Sequence, residues 1–337
     1  MAWTIRLITA LISLGFSPKR EEKGSDFAES PEYKVCIKTI EIIKMTLDLH
    51  VNQSQKTTEL LDMAILSFIS TFRSNVIADS RIVAKVMENN HDNGILKFEG
   101  FIKVAYTLSS KDILEIVDIF LNKMIITFFS NSEVLITQDL EMLKTFVSSP
   151  VTQKYLMTLD TTEDLMKNHF TKYVFLNQGD MLEHLSGFYR ILTIFWEVND
   201  GIEKFGKYME PISLFLENIL SSDPSDFVNA RPDILRTFYI LSGISQGFTS
   251  AEPYNNFFEW FYPNNFKIIQ EGLKNFSEDK VMLKGVFILM RDLLENKSQR
   301  LKADSCYLNG FILFKEIANI QIDFFKYVNM YEGYKIK

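Results

Sequence analysis

The chain has 337 residues, 47% of them hydrophobic and 29 of them Phe, and carries a net charge of −7 from 36 Lys and Arg against 43 Asp and Glu. That apolar content excludes a disordered chain, and the acidic balance excludes general nucleic-acid binding, which requires a basic stripe. The length exceeds what one ordinary core supports, roughly 50–250 residues, so two domains or an elongated repeat array is expected.

The N-terminal stretch MAWTIRLITALISLGFS is apolar, but Arg6 interrupts it and no charged segment precedes it, so it predicts a core helix rather than a secretory leader. No uncharged apolar run reaches the roughly 18 residues a membrane span needs, and no membrane insertion is expected. Residues 15–31 are charged and carry Gly and two Pro, which predicts a loop. At its end, Ser30-Pro31-Glu32 supplies a cap, a proline at the first helical position and an acid in the first turn.

In TTELLDMAILSFISTFRSNVI, Leu61, Ala64, Ile65, Phe68, Ile69 and Phe72 form one helical stripe. The stretch NNHDNG, residues 89–94, predicts a turn. SSKDILEIVDIFLNKMIITFF repeats the stripe with Ile113, Ile116, Val117, Phe120, Leu121, Met124, Ile125 and Phe128. Thr162-Glu163-Asp164, Arg231-Pro232-Asp233 and Ser277-Glu278-Asp279 predict further helix starts, the last before the stripe Met282, Gly285, Val286, Leu289, Met290 and Leu293. A stripe of six large side chains contributes roughly 10 kcal/mol at about 1.5–3 each, whereas helix propensities differ by under about 1 kcal/mol per residue. Packing between helices therefore decides the architecture. About a dozen helices joined by short polar links predict an all-α fold, an α-α superhelix of HEAT/armadillo-like antiparallel helix pairs spanning residues 1–337 as a single array. Terminal repeats of such an array need polar outer faces, and a chain lacking them is expected to associate.

The chemistry-bearing motifs are weak. Gly201-Ile-Glu-Lys-Phe-Gly206-Lys207 has the spacing of a phosphate-binding loop, but Tyr208 stands where a magnesium-binding Ser or Thr belongs and the preceding segment is helical, so a polar turn is expected. His50, His91, His169 and His184 contain no pair three or four residues apart, so none forms a helical zinc pair. Cys36 and Cys306 form no CxxC motif or disulfide framework, consistent with a reducing compartment and plain burial. The sequons at Asn52, Asn275 and Asn296 carry no meaning without a leader. Phe257–Pro263, FFEWFYP, lacks interleaved basic residues and predicts core packing rather than base stacking. No catalytic, cofactor-binding or metal-ligating residue is assigned, and the expectation is a non-enzymatic helical surface that binds proteins.

LSGISQGFTSAEPYNNFFEWFYPNNFKIIQEGL and LMRDLLENKSQRLKADSCYLNGFILFKEI resemble the exportin-7 family, also called Ran-binding protein 16, importin-β-like nuclear transport receptors. The closest parts are Phe257–Pro263, Asn296–Leu301 and Asn309–Glu316. Weaker similarity continues upstream through MAWTIRLITALI, ELLDMAILSFISTFR and residues 113–127. The chain departs from the family pattern at Lys302-Ala303-Asp304 and at Leu308. The resemblance implies a segment of an exportin that shuttles between nucleus and cytoplasm through the nuclear pore complex. Its partners would be the GTP form of the Ran GTPase, folded protein cargo and FG nucleoporins, with no cofactor. The competing expectation is a helical-repeat scaffold or degenerate fragment without a transport role. Residues 296–316 are expected to form a turn between stacked helices, with Lys297 and Arg300 at a helix end suiting its negative dipole and offering a possible partner surface. Asn309-Gly310 would tolerate positive φ before the next helix.

Overall fold

The computed structural model describes residues 1–13, 31–47, 55–77, 108–129, 132–172, 181–198, 202–302 and 308–335. Fifteen α-helices and no strand occur among the described residues, which is the expected all-α, helical-repeat class of fold. The expected loop at 15–31, apart from Pro31, and the expected turn at 89–94 lie outside the described residues, as do His50, His91 and Cys306. The chain divides into two compact units, Met1–Leu165 with Tyr173–Phe175, and Met166–Lys172 with Leu176–Lys337. No described helix is long and apolar enough to cross a membrane.

In the first unit, α1 (Ala2–Ser13) packs on α3 (Gln55–Phe72), and α2 (Pro31–Leu47) packs on α4 (Ser110–Phe128). A short π-helix, Arg73–Ile77, extends α3. Helix α2 starts at Pro31, as its start signal predicts. The α3 stripe from Ala64 to Phe72 is buried, with Leu61 half-buried, and so is the α4 stripe from Ile116 to Phe128. Phe68, Phe72 and Phe120 join the two helices: Phe72 and Phe120 meet edge to face at 5.7 Å, and Phe68 and Phe72 stack at 5.7 Å. Ser109 caps α4 reciprocally with Asp112, its hydroxyl accepting from the Asp112 N–H at 3.2 Å while its own N–H donates to Asp112 Oδ2 at 2.8 Å. Helices α5 (Glu133–Ser148), α6 (Pro150–Leu156) and α7 (Asp160–Lys167) follow, α5 packing against α3, α4 and α6. The expected start at Thr162 falls inside α7, which begins two residues earlier.

Three charged residues lie inside this unit. Lys123 Nζ is 2.7 Å from Asp62 Oδ1, with both side chains almost wholly buried. Asp139 of α5 is also fully buried, and neither of its carboxyl oxygens has a hydrogen-bond partner. Burial first, and the nearby Asp62 second, push Asp139 well above the ordinary carboxylate range, against the opposing pull of Lys123. That shift favours the protonated form of Asp139 beside the Lys123–Asp62 pair. Its contribution is present below the unfolded value, about pH 3.9, and is lost as pH rises toward the raised folded value. Asp139→Asn removes that pH-dependent loss. The expected result is a variant that gains stability relative to the parent as urea denaturation is repeated from pH 4 to pH 8. A constant difference across that range would show that Asp139 is ionised in the fold.

In the second unit, α8 (Leu182–Val198), α9 (Ile202–Ser221), α10 (Pro224–Asn229), α11 (Arg231–Gly247), α12 (Ala251–Phe261), α13 (Lys267–Asn275), α14 (Lys280–Leu294) and α15 (Asn309–Lys335) follow in order. Helix α11 packs on α8 and on α14, and every residue from Thr237 to Ser245 is buried. A helix buried around its whole circumference is a central one. The α14 stripe is buried in full, and Asp279 caps that helix by accepting from the N–H groups of Val281 and Met282. The expected start at Ser277 thus moves two residues to Asp279, whose carboxylate is also held by Arg231 Nε at 2.6 Å.

Candidate functional site

Of residues 296–316, expected to form a turn between helices, 296–302 form one that Arg300 organises, 303–307 lie outside the described residues, and Asn309 onward is already helix α15. After α14 ends at Leu294, a 3-10 turn, Lys297–Gln299, reverses the chain. Gln299 takes the left-handed backbone conformation with φ 56°. Asn296 clamps the turn from both sides, donating from Nδ2 to the Leu301 carbonyl at 3.1 Å and accepting from the Leu301 N–H at 2.8 Å. This geometry aims Arg300 inward, where it is fully buried.

The guanidinium donates to four backbone carbonyls. Nε reaches Glu295 at 3.0 Å, Nη2 reaches Asp292 at 2.8 Å, and Nη1 reaches both Phe248, at 3.4 Å, and Ser245. Asp292 and Glu295 belong to the C-terminal end of α14, and Ser245 and Phe248 to that of α11. One cation thus caps two negative helix ends whose last carbonyls lack intrahelical donors. It also lies 4.8 Å from the centre of the Tyr254 ring, a cation–π contact. Burial lowers Arg300 from its ordinary range, with Tyr254, Glu295 and Asp292 opposing that shift.

Around it, Tyr254 Oη donates to the Leu293 carbonyl at 2.8 Å, and burial pushes its phenol up to about 12. Ser242 Oγ donates to Asp292 Oδ2, Ser245 Oγ donates to the Asp292 carbonyl at 2.9 Å, and Arg291 Nε meets Asp292 Oδ1 at 2.7 Å. These hydrogen bonds tie the C-terminal ends of α11 and α14 to one another and to α12.

The pair Lys297 and Arg300 therefore separates. Arg300 is a buried structural cap, and the carbonyls of two helices claim its donors. The Lys297 side chain is 54% exposed and pairs with Glu295 Oε1 at 2.8 Å. That hydrogen bond holds the Glu295 carboxyl below its usual range. The reading of Asn309-Gly310 also changes. Gly310 needs no positive φ; a Cβ there would lie 2.8 Å from the Lys302 carbonyl, which accepts the Gly310 N–H at 3.0 Å. Close approach, not backbone handedness, calls for glycine.

The remaining candidates resolve as packing. Ile202–Ser221 is a helix, so residues 202–208 are helical instead of forming a polar turn or phosphate loop, and Tyr208 is buried and stacked on Trp196 at 6.0 Å. His169 is buried beside Tyr189, Trp196 and Phe170. Its Nε2 lies 2.8 Å from the Tyr208 carbonyl, which can only accept, so Nε2 carries the proton and Nδ1 accepts from Tyr189 Oη at 3.0 Å. Burial, only partly opposed by that carbonyl, lowers His169 to about 4. His184 is half-buried. Phe257, Phe258 and Phe261 are buried, and Trp260 Nε1 donates to Ser213 Oγ at 2.8 Å, so FFEWFYP packs as expected. Cys36 is buried in α2. Among the described residues no His, Cys, Asp and Glu group could hold a metal ion.

One apolar cleft adjoins the junction's outgoing helix. Leu273 of α13 and Ile320 and Phe324 of α15 line it, with Gln270, Lys274 and Asp323 beside them, and its volume is ≈ 350 Å³.

The model of the family described as exportin-7-like, TPR domain, matches residues 1–184. Human Ran-binding protein 17 is 22% identical over 279 residues, covering 78% of this chain and 24% of that protein. Exportin-7-B of Xenopus laevis is 22% identical over 336 residues, 95% of this chain and 29% of the relative. Exportin-7 of Dictyostelium discoideum is 19% identical over 340 residues, 96% of this chain and 32% of the relative. The chain thus spans 24–32% of these relatives' length. No solved structure matches.

Proposed function

Because the chain belongs to the exportin-7-like TPR-domain family, we propose that it works as a segment of a nuclear transport receptor that binds other proteins reversibly. The observation that carries this reading is the family match over residues 1–184 of a 337-residue chain. Its proposed partners are GTP-loaded Ran, folded protein cargo and FG nucleoporins, and its proposed setting is transit between nucleus and cytoplasm. In this reading it transforms no substrate. Proteins named exportin-7 and Ran-binding protein 17 among its relatives support the choice of Ran. The helical architecture supports the mechanism: packed helices change curvature through small adjustments between neighbours, so a nucleotide-dependent partner can select one shape.

The cleft lined by Leu273, Ile320 and Phe324 supports the FG nucleoporins as partners, since an apolar floor with a polar rim accepts a phenylalanine ring. Lys297 is the exposed cation of the turn and remains available to a partner, which Arg300 is not.

Purified Ran tests the reading directly. Immobilised full chain is expected to retain GTP-loaded Ran over the GDP form by about tenfold or more, about 1.4 kcal/mol of discrimination. Equal retention of both forms, or of neither, would leave a helical scaffold without the transport role.

A further inference from the structure

Asp62 of α3, Lys123 of α4 and Asp139 of α5 bring two acids and one base into the interior of the first unit. The Lys123 ammonium is committed to Asp62 Oδ1 at 2.7 Å, and neither oxygen of the fully buried Asp139 has a hydrogen-bond partner. One cation is thus set against two carboxyl groups, and the second is compatible with burial only while it holds its proton.

The helices around α5 bring no other counter-charge to Asp139. Of their charged groups, only Asp62 and Lys123 act on it. Glu59 of α3 accepts from Ser132 Oγ at 2.7 Å, just before α5 starts, and Arg73 donates from Nη2 to the Thr145 carbonyl at 2.7 Å near its end. Those contacts lie seven and six residues from Asp139 along the chain. On α6, Lys154 is exposed and Tyr155 half-buried.

The seam between α3 and α5 is open to solvent on one side. Met63, next to Asp62, and Gln138, next to Asp139, line a groove of ≈ 600 Å³ together with Ser67 and Ser70 of α3 and Glu141 and Met142 of α5. An ionised Asp139 therefore reaches water once α5 draws back along this groove, a local opening that leaves the rest of the unit packed. In the closed seam, burial first and Asp62 second favour the protonated acid.

We propose that the α3–α5 seam is a proton-operated joint, closed while Asp139 holds its proton and opened, by α5 drawing away from α3 and α4, when that proton is released. In the open state Asp139 titrates near its ordinary value, about 3.9, whereas the closed seam keeps the proton to higher pH. Between the two values each opening releases one proton, so the opening constant rises by about tenfold per pH unit and levels off above the closed-state value.

Hydrogen exchange on the full chain from about pH 5 to 8, corrected for the intrinsic rise of exchange with pH, reads that constant helix by helix. Amides of α5 are expected to lose protection by up to about tenfold per pH unit, while those of α4 stay protected. Asp139→Asn, or Asp139→Leu if the first variant misfolds by circular dichroism, is expected to abolish the dependence. Asp62→Asn leaves Lys123 to pair with Asp139 and is expected to move the loss of α5 protection to lower pH. Protection of α5 that does not change with pH overturns the proposal. So does an equal pH dependence in Asp139→Asn. Equal loss from α4 and α5 also overturns it, because the unit would then be unfolding as a whole.

Discussion

Arg300→Met is expected to cost the second unit about 4 kcal/mol and to lower its melting temperature by about 8–16 °C. Methionine fills much of the guanidinium's space and keeps contact with Tyr254, so volume loss is not the main effect. The loss is of donors. Four carbonyls, of Ser245, Phe248, Asp292 and Glu295, accept from Arg300, and those of Ser245 and Asp292 lie deepest. A buried acceptor left without a donor costs about 1–3 kcal/mol. The longest contact, to Phe248 at 3.4 Å, contributes least, and Ser245 Oγ still donates to the Asp292 carbonyl, so the total stays well below a fourfold sum. A unit of this size shifts by about 2–4 °C per kcal/mol. Arg300→Lys retains the charge but not the planar fork, and is expected to fall between parent and Met variant. Trp196 and Trp260 both lie in the second unit, so tryptophan fluorescence follows its unfolding. A shift below about 3 °C for Arg300→Met would mean that water replaces the guanidinium and that the two helix ends do not depend on it.

The two partner-surface candidates show what sequence carries and what it does not. Lys297 and Arg300 are three residues apart in a polar stretch, and nothing local distinguishes the exposed one from the buried one. What separates them is Ser245, more than fifty residues upstream, whose carbonyl is brought to Arg300 only when α11 and α14 pack together. The same holds for Asp62, Lys123 and Asp139, drawn from three helices into one interior cluster. Lys123 reads as a solvated position between apolar neighbours, and its acidic partner is sixty-one residues away. By contrast, signals written in short range were legible. The stripe of α3 was readable from Leu61 to Phe72 because burial repeats with the helical period. The starts at Pro31 and Arg231 were readable because proline fixes its own φ and lacks the N–H that a first helical turn leaves unpaired. The near match to a phosphate loop suggested a turn where the chain is helical, because Gly206 sits on an exposed helix surface where nothing penalises it except propensity.

Gly243→Ala is expected to destabilise the second unit by about 3 kcal/mol, although one methyl group is all it adds. A Cβ at Gly243 would fall 2.2 Å from the Ser186 carbonyl oxygen and 3.0 Å from the Ser186 Cα. These are backbone atoms of α8, so no side-chain rotation relieves the overlap, and α8 and α11 must move apart. Overpacking of this kind costs about 1–3 kcal/mol, and an obstacle made wholly of Ser186 backbone atoms puts Gly243 at the upper end. One helical turn on, a Cβ at Gly247 would meet Thr193 Cβ at 2.3 Å and the Arg190 carbonyl at 2.6 Å, so the close approach extends along both helices. Gly243→Ala combined with Gly247→Ala costs less than the sum of the two, because the first separation relieves the second contact. Gly206→Ala is the matched control. Nothing lies within 4 Å of its Cβ position, and the residue is exposed inside α9, so the same change there is expected to stabilise by about 0.5–1 kcal/mol through helix propensity. Chemical denaturation of the three proteins reads both signs. If Gly243→Ala also stabilised, the helices would have room for a methyl group and the seam between α8 and α11 would not be held by backbone contact.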